Sequence, residues 1–448
     1  MKKSILILLL CAAVFGFSAV PARQALPPKA DCSSNPTATA ILNRLDQASY
    51  LNLIKSLAGE IPVSINGVPG QAISTRFAPA MASNQANARA IPWLLEQLND
   101  WLQPGQISQE SFDFLYSGST YTTQNLVITF PGTLHPEEVI LLTAHLDSTS
   151  TNPWVVAPGA EDNASGSAAL LEAVRSLRYY RFDRTLKLVW FNAEEQGFYG
   201  SQVYIQAHPT ENIIGVVNLD MFGFDYNQDR CFELHVGTLP RSDAVGQCFK
   251  ETISANSLPL TYDYVTQGAI SASDHGSFWN TGVGAVEVLE NHLNQQQPGG
   301  CVGMDASPYY HQTNDYSAFL YLPAAFEIAR AGIGTAVNLA GGVGECYDAP
   351  PTLSSRGLPG ALFLDWEAAP EAAYYRLERS TTGCSGSFTE LGTPTTPAWL
   401  DSEIQPGATY AYRLQVFADG GRGYCISEPL CVEVTAPQDF IFLPILTR

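Results

Sequence analysis

Three short apolar runs in this chain each end on residues able to hold a proton or a metal, and that recurrence restricts the fold more than any other feature. Residues 138–144 are compactly apolar and lead into His145-Leu146-Asp147. The run 186–190 leads into Phe191-Asn192-Ala193-Glu194-Glu195-Gln196-Gly197, and residues 213–219 deliver Asp220. Continuous apolar runs of this length suit strands buried on both faces, and helical stretches separate them here. The pattern predicts an α/β fold with a mostly parallel central sheet and helices on both faces. In such sheets reacting groups collect just past the carboxyl ends of the strands, where these ionisable residues fall.

The flanking segments fill in that plan. Apolar spacing predicts one helix over residues 38–57 and another over 84–102, with Pro92 placed to kink or divide the second. Strands are expected over 111–115 and 123–130, a helix over 168–177, and a further strand over 283–289 preceded by Ser273-Asp274-His275. The segment Tyr310-His311-Gln312-Thr313-Asn314-Asp315 is expected to open a helix over 318–336. At 448 residues the chain exceeds what one core normally holds, so two domains are expected. Gly341-Gly342-Val343-Gly344 and Pro350-Pro351 mark a linker over 341–350, dividing a first domain over 32–340 from the rest of the chain. Beyond it, alternating runs at 361–366, 374–379, 409–416 and 431–435 predict a small all-β sandwich over 351–436, then a short apolar tail over 437–448.

Met1-Lys2-Lys3 followed by an apolar run to Phe17 has the form of a secretory signal, with cleavage after Ala22. Its removal takes away Cys11 and leaves Cys32, Cys231, Cys248, Cys301, Cys346, Cys384, Cys425 and Cys431. An even number in an exported chain favours disulfides, and none of these cysteines forms a C-x-x-C pair of the kind that holds structural zinc. The net charge of -20 argues against nucleic acid or an anionic membrane as partner. No later stretch is long and apolar enough for a membrane span, so a secreted protein, extracellular or periplasmic, is expected.

Each chemical residue has a bland alternative. A Glu-Glu pair such as Glu194-Glu195 is by itself most simply a solvated turn, Asp162 a helix cap, and His145 a packed ring. Asp147 changes the weighting for His145, because a carboxylate accepting the ring's other N–H commonly supports a metal-bound histidine. Around Asp162 the small residues of Gly159-Ala160-Glu161-Asp162-Asn163-Ala164-Ser165-Gly166 permit the close approach that a carboxylate shared between two ions requires. Together His145, Asp162, Glu195, Asp220 and His311 offer nitrogen and oxygen donors without a thiolate, a set suited to catalytic zinc.

The order and contexts of Ala144-His145-Leu146-Asp147-Ser148, the 159–166 segment, Glu194-Glu195-Gln196-Gly197, Asn218-Leu219-Asp220-Met221 and His311 resemble the M28 family of zinc peptidases. Its best-known members are secreted bacterial aminopeptidases, and the likeness spans about residues 40 to 340. The resemblance implies two Zn²⁺ per chain, with Asp162 bridging them, His145 and Asp220 completing one site and Glu195 and His311 the other. It implies Glu194 as general base, Asp147 orienting His145, and peptides or proteins as substrates. Some of these enzymes carry a tyrosine three residues before Ser-Asp-His that assists the oxyanion; here Ile270 stands there, leaving the zinc alone, Tyr262 or Tyr264 to serve. His275 matches a family position near the pocket, and Met221, Phe222, Ile270, Phe278 and Trp279 are the expected apolar pocket lining. The C-terminal sandwich resembles fibronectin type III through Trp366 and Tyr410-Ala411-Tyr412, implying a spacer or, as a sharper alternative, contact with a polysaccharide or cell surface. Rival readings are a glutaminyl cyclase, a carboxypeptidase whose clamp would have to come from Arg241 or Lys250, and a binding module acting through the sandwich.

Overall fold

The computed structural model describes residues 32–82, 85–293, 300–347, 352–418 and 425–438. The expected secretory signal and most of the apolar tail lie outside the described residues. A hairpin of β1 (Val63–Ile65) and β2 (Val68–Gln71) stands apart from a nine-stranded sheet. That sheet contains β3 (Ile107–Tyr116), β4 (Ser119–Phe130), β5 (Gly132–His145), β6 (Tyr180–Phe191), β7 (Asn212–Leu219), β8 (Cys231–His235), β9 (Thr261–Val265), β10 (Ala285–Glu290) and β11 (Gly342–Glu345). Its order is β3-β4-β6-β5-β7-β10-β8-β9, with β11 on the free part of β6.

The sheet is mixed rather than mostly parallel. Its middle, β6-β5-β7-β10, is parallel as expected, and so is the β8-β9 pair, whereas β3-β4, β4-β6, β10-β8 and β11-β6 are antiparallel. Ser117 and Gly118 both take positive φ, 48° and 79°, so a tight two-residue turn folds β3 back on β4. The glycine-rich stretch expected to be wholly linker instead contributes β11, which continues the sheet.

Alternation along β5 sends Ile140, Leu142 and Ala144 to one core and Val139 and Leu141 to another. Helices Gln47–Leu57, Gly166–Leu177, Pro240–Ala255 and Leu322–Ala340 cover the first face, and Tyr199–Ala207 and Asp274–Trp279 the second. The expected helix over 38–57 is two helices, Pro36–Arg44 and Gln47–Leu57, because Asp46 caps the second by accepting the Ser49 N–H at 2.6 Å. Pro92 neither kinks nor divides Ala90–Trp101, since it sits in the first turn, where its missing N–H has no partner to lose. The final helix begins at Leu322 rather than 318, with Pro323 in its first turn, and stops at Gly341 in the left-handed region, φ 69°.

Beyond residue 352 lie two antiparallel sheets. One holds β12 (Leu353–Leu358), β13 (Ala361–Trp366) and β16 (Ala398–Asp401). The other holds β14 (Ala372–Ser380), β15 (Thr389–Gly392), β17 (Thr409–Ala418) and β18 (Leu430–Thr435). They share a core of their own built from Leu362, Leu364, Trp366, Tyr375, Leu377, Tyr412 and Leu414. Phe417 and Ile426 nevertheless belong to the main core, and Gln103 Nε2 donates to Ala418 O at 3.2 Å, so the two parts meet through packed contacts.

Disulfides join Cys32 to Cys248, Cys231 to Cys301, Cys346 to Cys425 and Cys384 to Cys431, which fits an oxidising compartment. Among the described residues no helix is long and apolar enough to cross a membrane. The Cys346–Cys425 bridge closes the chain between the β11 segment and the β17 region, a sequence separation of 79. Replacing both cysteines by serine is expected to lower unfolding free energy by about 2–5 kcal/mol in a urea titration. An unchanged midpoint would show that this bridge adds no constraint.

Candidate metal centre

The carboxyl ends of β5, β6 and β7 lie side by side, with His145 in register with Phe191 and Thr143 with Asn218. His145 closes β5, Glu194 and Glu195 follow β6, and Asp220 follows β7. Asp162 comes from the irregular turn before helix Gly166–Leu177, and His311 from the 307–316 segment. The structure therefore brings all five sequence-predicted donors together.

Asp162 lies at the middle of the set. Its Oδ1 is 3.2 Å from His145 Nε2 and its Oδ2 is 3.1 Å from His311 Nε2. On the first side Asp220 Oδ1 is 3.0 Å from His145 Nε2; on the second Glu195 Oε2 is 3.0 Å from His311 Nε2. Two clusters result, His145/Asp162/Asp220 and Asp162/Glu195/His311, whose donor atoms each fall within 4.8 Å of one another. Both combine imidazole with carboxylate, the chemistry of catalytic zinc ligands, and the buried Glu195 Oε1 has no hydrogen-bond partner. The donor set thus fits a metal.

Supporting contacts fix each donor. Thr143 Oγ1 donates to Asn218 Oδ1 at 2.7 Å, Asn218 Nδ2 to Ser273 Oγ at 2.9 Å, and Ser273 Oγ to Asp220 Oδ2 at 2.7 Å. Asp315 accepts the backbone N–H groups of Glu161 and Asp162 at 3.2 and 3.3 Å, tying the His311 segment to the Asp162 turn. The carboxylate of Asp147 accepts the N–H groups of Glu194 and Glu195 at 3.1 and 3.3 Å. The acceptor nearest His145 Nδ1 is instead the Asp147 carbonyl, at 3.0 Å, with the carboxylate at 3.8 Å. Asp147 thus meets the ring through its backbone and the two glutamates through its side chain, a division that residue type alone does not reveal.

Glycine is required where these loops meet. A Cβ on Gly159, φ 51°, would lie 2.3 Å from Asp162 O and 2.6 Å from Ser148 Cβ. Arg76 fills the space beside it, fully buried, and its guanidinium donates to the carbonyls of Leu57, Leu146, Pro158 and Gly159 at 2.5–2.9 Å. Burial lowers Arg76 to about 10, opposed by Asp315, Asp162 and other nearby carboxylates. It remains a cation at neutral pH. Sequence reading missed Arg76 because it stands far from every donor in the chain and carries no local motif.

Burial pushes the Glu194 carboxyl well above its usual range, with His145 opposing and Asp220 and Glu195 reinforcing. Glu195 rises to about 7 through burial and Asp162, against the pull of His311. For His311 burial acts downward, but Asp162 and Glu195 outweigh it and lift the ring to about 10.

Three of the five expected pocket residues are committed elsewhere. Phe222 and Phe278 are core residues, and Trp279 is anchored by donating Nε1 to Ala285 O at 2.9 Å. His275 is fully buried, its Nε2 2.9 Å from Ile270 O and 3.3 Å from Glu287, so it packs rather than faces a pocket. Tyr264 is committed to Asp243 at 2.7 Å and Tyr262 packs on Phe232, which removes both from the oxyanion role. Tyr310 instead stacks on His311, ring centroids 3.7 Å apart, and feels Asp162, Glu195, Asp220 and Glu194 electrostatically. Nearby Tyr309 stacks on Phe319 and meets Phe224 edge-on, forming an aromatic group that sequence did not assemble.

The model of Peptidase family M28 matches residues 125–331. Aminopeptidase YwaD of Bacillus subtilis is 30% identical over 203 residues, covering 43% of this chain and 40% of that protein. A probable leucine aminopeptidase of Trichophyton verrucosum is 24% identical over 267 residues, 57% of this chain and 67% of the other. This chain therefore spans well under half of the Bacillus relative's length. The crystal structure of LapB from Legionella pneumophila superposes with a TM-score of 0.53 at 20% identity, covering 71% of this chain and 78% of that one, a likeness of fold. The family match and the aminopeptidase relatives support a metallopeptidase.

Arg76→Lys provides a direct check on how the centre is held. A lysine ammonium cannot reach four carbonyls arranged for a guanidinium, and each buried carbonyl left without a donor costs about 1–3 kcal/mol. The variant is expected to lose at least ~2 kcal/mol in chemical denaturation and to retain less metal. A loss below ~0.5 kcal/mol with full metal content would show that the carbonyls find other donors.

Proposed function

We propose that this chain is a secreted aminopeptidase that releases apolar N-terminal residues at a centre of two zinc ions. The observation that carries the reading is the division of Asp162, one carboxylate oxygen toward His145 and the other toward His311. In this reading His145 and Asp220 hold one ion, Glu195 and His311 the other, and Asp162 is shared. When bound, the zinc pair would supply Lewis acidity toward a peptide carbonyl and acidify water at the centre.

The remaining steps belong to side chains. Glu194, buried beside the donors, is the general base that takes a proton from water and later delivers it to the leaving amine. Its environment favours that exchange, because burial already moves its proton affinity upward. Asp147 fixes the Glu194 and Glu195 backbone, so base and ligand keep separate positions although adjacent in sequence. Tyr310 is the phenol available to a developing oxyanion, in place of Tyr262 or Tyr264. Phe224, Tyr309, Phe319 and Tyr310 are read as an aromatic wall that strips water from an apolar side chain, worth about 25 cal/mol per Å² buried.

The two candidate clamps of the carboxypeptidase alternative have other surroundings. Lys250 Nζ lies over the Tyr264 ring at 4.8 Å, and Arg241 shares its helix, Pro240–Ala255, which packs against β7, β10 and the final helix. We assign the first domain to residues 32–345, β11 included, with a short linker after it, and the described strands that follow, arranged three and four, to a fibronectin type III-like spacer over 351–436.

Metal analysis and kinetics on two variants test the centre. Glu194→Gln is expected to keep two zinc ions per chain while turnover falls about 10² to 10⁴-fold, and Glu195→Gln to lose metal. Tyr310→Phe should lower kcat more than it changes KM. One ion per chain in fully active protein, or reversed phenotypes for the two glutamates, would overturn the assignment.

Substrates test the activity itself. Aminoacyl anilides of Leu, Phe or Met should be cleaved faster than those of Asp, Glu or Lys, because an unpaired charge is penalised against an aromatic wall. N-acetylation should abolish cleavage. Equal turnover of the acetylated forms would eliminate the aminopeptidase reading, and a preference for charged residues would eliminate the wall alone.

A further inference from the structure

A second group of carboxylates stands apart from the metal centre. Asp225, Asp229 and Asp305 each present an oxygen within 4.8 Å of the other two. Asp225 is 6% exposed and Asp305 2%, while Asp229 faces solvent. Three like charges at this spacing repel, and nearby hydrogen bonds satisfy only part of their capacity. Asp225 Oδ2 accepts the Arg230 N–H at 2.9 Å; Asp229 accepts the Cys231 N–H at 3.0 Å and Asn227 Nδ2 at 3.0 Å. Asp305 Oδ2 accepts Asn291 Nδ2 at 3.2 Å. Two buried acceptors, Asp225 Oδ1 and Asn291 Oδ1, have no hydrogen-bond partner at all.

We propose that Asp225, Asp229 and Asp305 form a calcium site. Three carboxylates gathered this closely, with Asp225 Oδ1 buried and unpartnered, call for a cation rather than another hydrogen-bond donor. The absence of imidazole and thiolate from the cluster favours a hard ion over zinc, and Ca²⁺ tolerates irregular oxygen cages that Mg²⁺ does not. The alternation Asp225, Asn227, Asp229 followed by a residue with positive φ, Arg230 at 60°, follows the opening of a calcium-binding loop, where glycine usually makes that turn. The frame is covalently held, since the Cys231–Cys301 disulfide joins the residue two after Asp229 to the residue four before Asp305.

The position gives the site a consequence. The loop carrying Asp225 starts at Asp220, and Phe224 N donates to Glu161 Oε1 at 3.2 Å, next to Asp162. Calcium at Asp225 would fasten that loop and Phe224 beside the metal centre without entering it. The inference is independent of the peptidase reading, because it concerns other residues and another ion.

Calorimetric titration of the zinc-loaded full chain with CaCl₂, and separately with MgCl₂, tests it, with zinc content measured before and after. One Ca²⁺ per chain is expected with a Kd of about 10⁻⁴ to 10⁻³ M, the range of extracellular modules, with Mg²⁺ weaker and zinc content unchanged. Calcium should also raise the melting temperature. Asp225→Asn and Asp305→Asn should each weaken calcium about tenfold or more by removing one ligand charge. Asp229→Asn changes an exposed residue, so it keeps the test decisive should the buried variants fail to fold. Wild-type protein that takes up no calcium at about 10 mM, binding equal to that of Mg²⁺, or an unchanged Kd in Asp229→Asn and Asp225→Asn would overturn the proposal.

Discussion

Removing ionised carboxylates from water costs several kcal/mol each unless cations or hydrogen-bond donors face them, and here Asp147, Asp162, Glu194, Asp220, Asp274 and Asp315 are all at most 8% exposed. Much of the surrounding architecture meets that demand. Backbone N–H groups face Asp147 and Asp315, a hydroxyl faces Asp220, imidazoles face Asp162, and the cation of Arg76 lies within electrostatic reach of several of them. Parallel strands make this arrangement possible, because their carboxyl ends bring residues from distant parts of the chain to one edge.

The centre is consequently rigid in a particular sense: its ligand candidates are held by groups that belong to other candidates' loops. Asp315, four residues after His311, grips the backbone at Asp162, and Asp147, two after His145, grips the backbone at Glu194 and Glu195. Moving one donor moves another. A buried, partly satisfied network is among the most sensitive parts of a fold, since low dielectric strengthens made contacts and penalises missing ones alike.

The C-terminal sheets have their own core but are not simply tethered. Phe417 and Ile426 complete the main core, Cys346 is bonded to Cys425, and Arg44 is paired with Glu428. The second part is therefore packed, bonded and ion-paired onto the first.

Periodicity was enough to place the strands that end in His145, Glu194-Glu195 and Asp220, since burial on both faces leaves a continuous apolar run that survives in any context. The donor types themselves were equally legible, because nitrogen and oxygen ligands are written in residue identity. Antiparallel additions to the sheet were not, as β11 is glycine-rich and β8 is specified by where β10 lies rather than by its own pattern. Tertiary structure alone decided that Asp162 faces two histidines, that Asp147 meets His145 through its carbonyl, that Phe222 and Phe278 are core, and that Arg76 binds four carbonyls. The physical reason is common to all of these: the direction of a side chain past the end of a strand depends on loops from elsewhere in the chain, and one-dimensional spacing carries no information about which loops will meet.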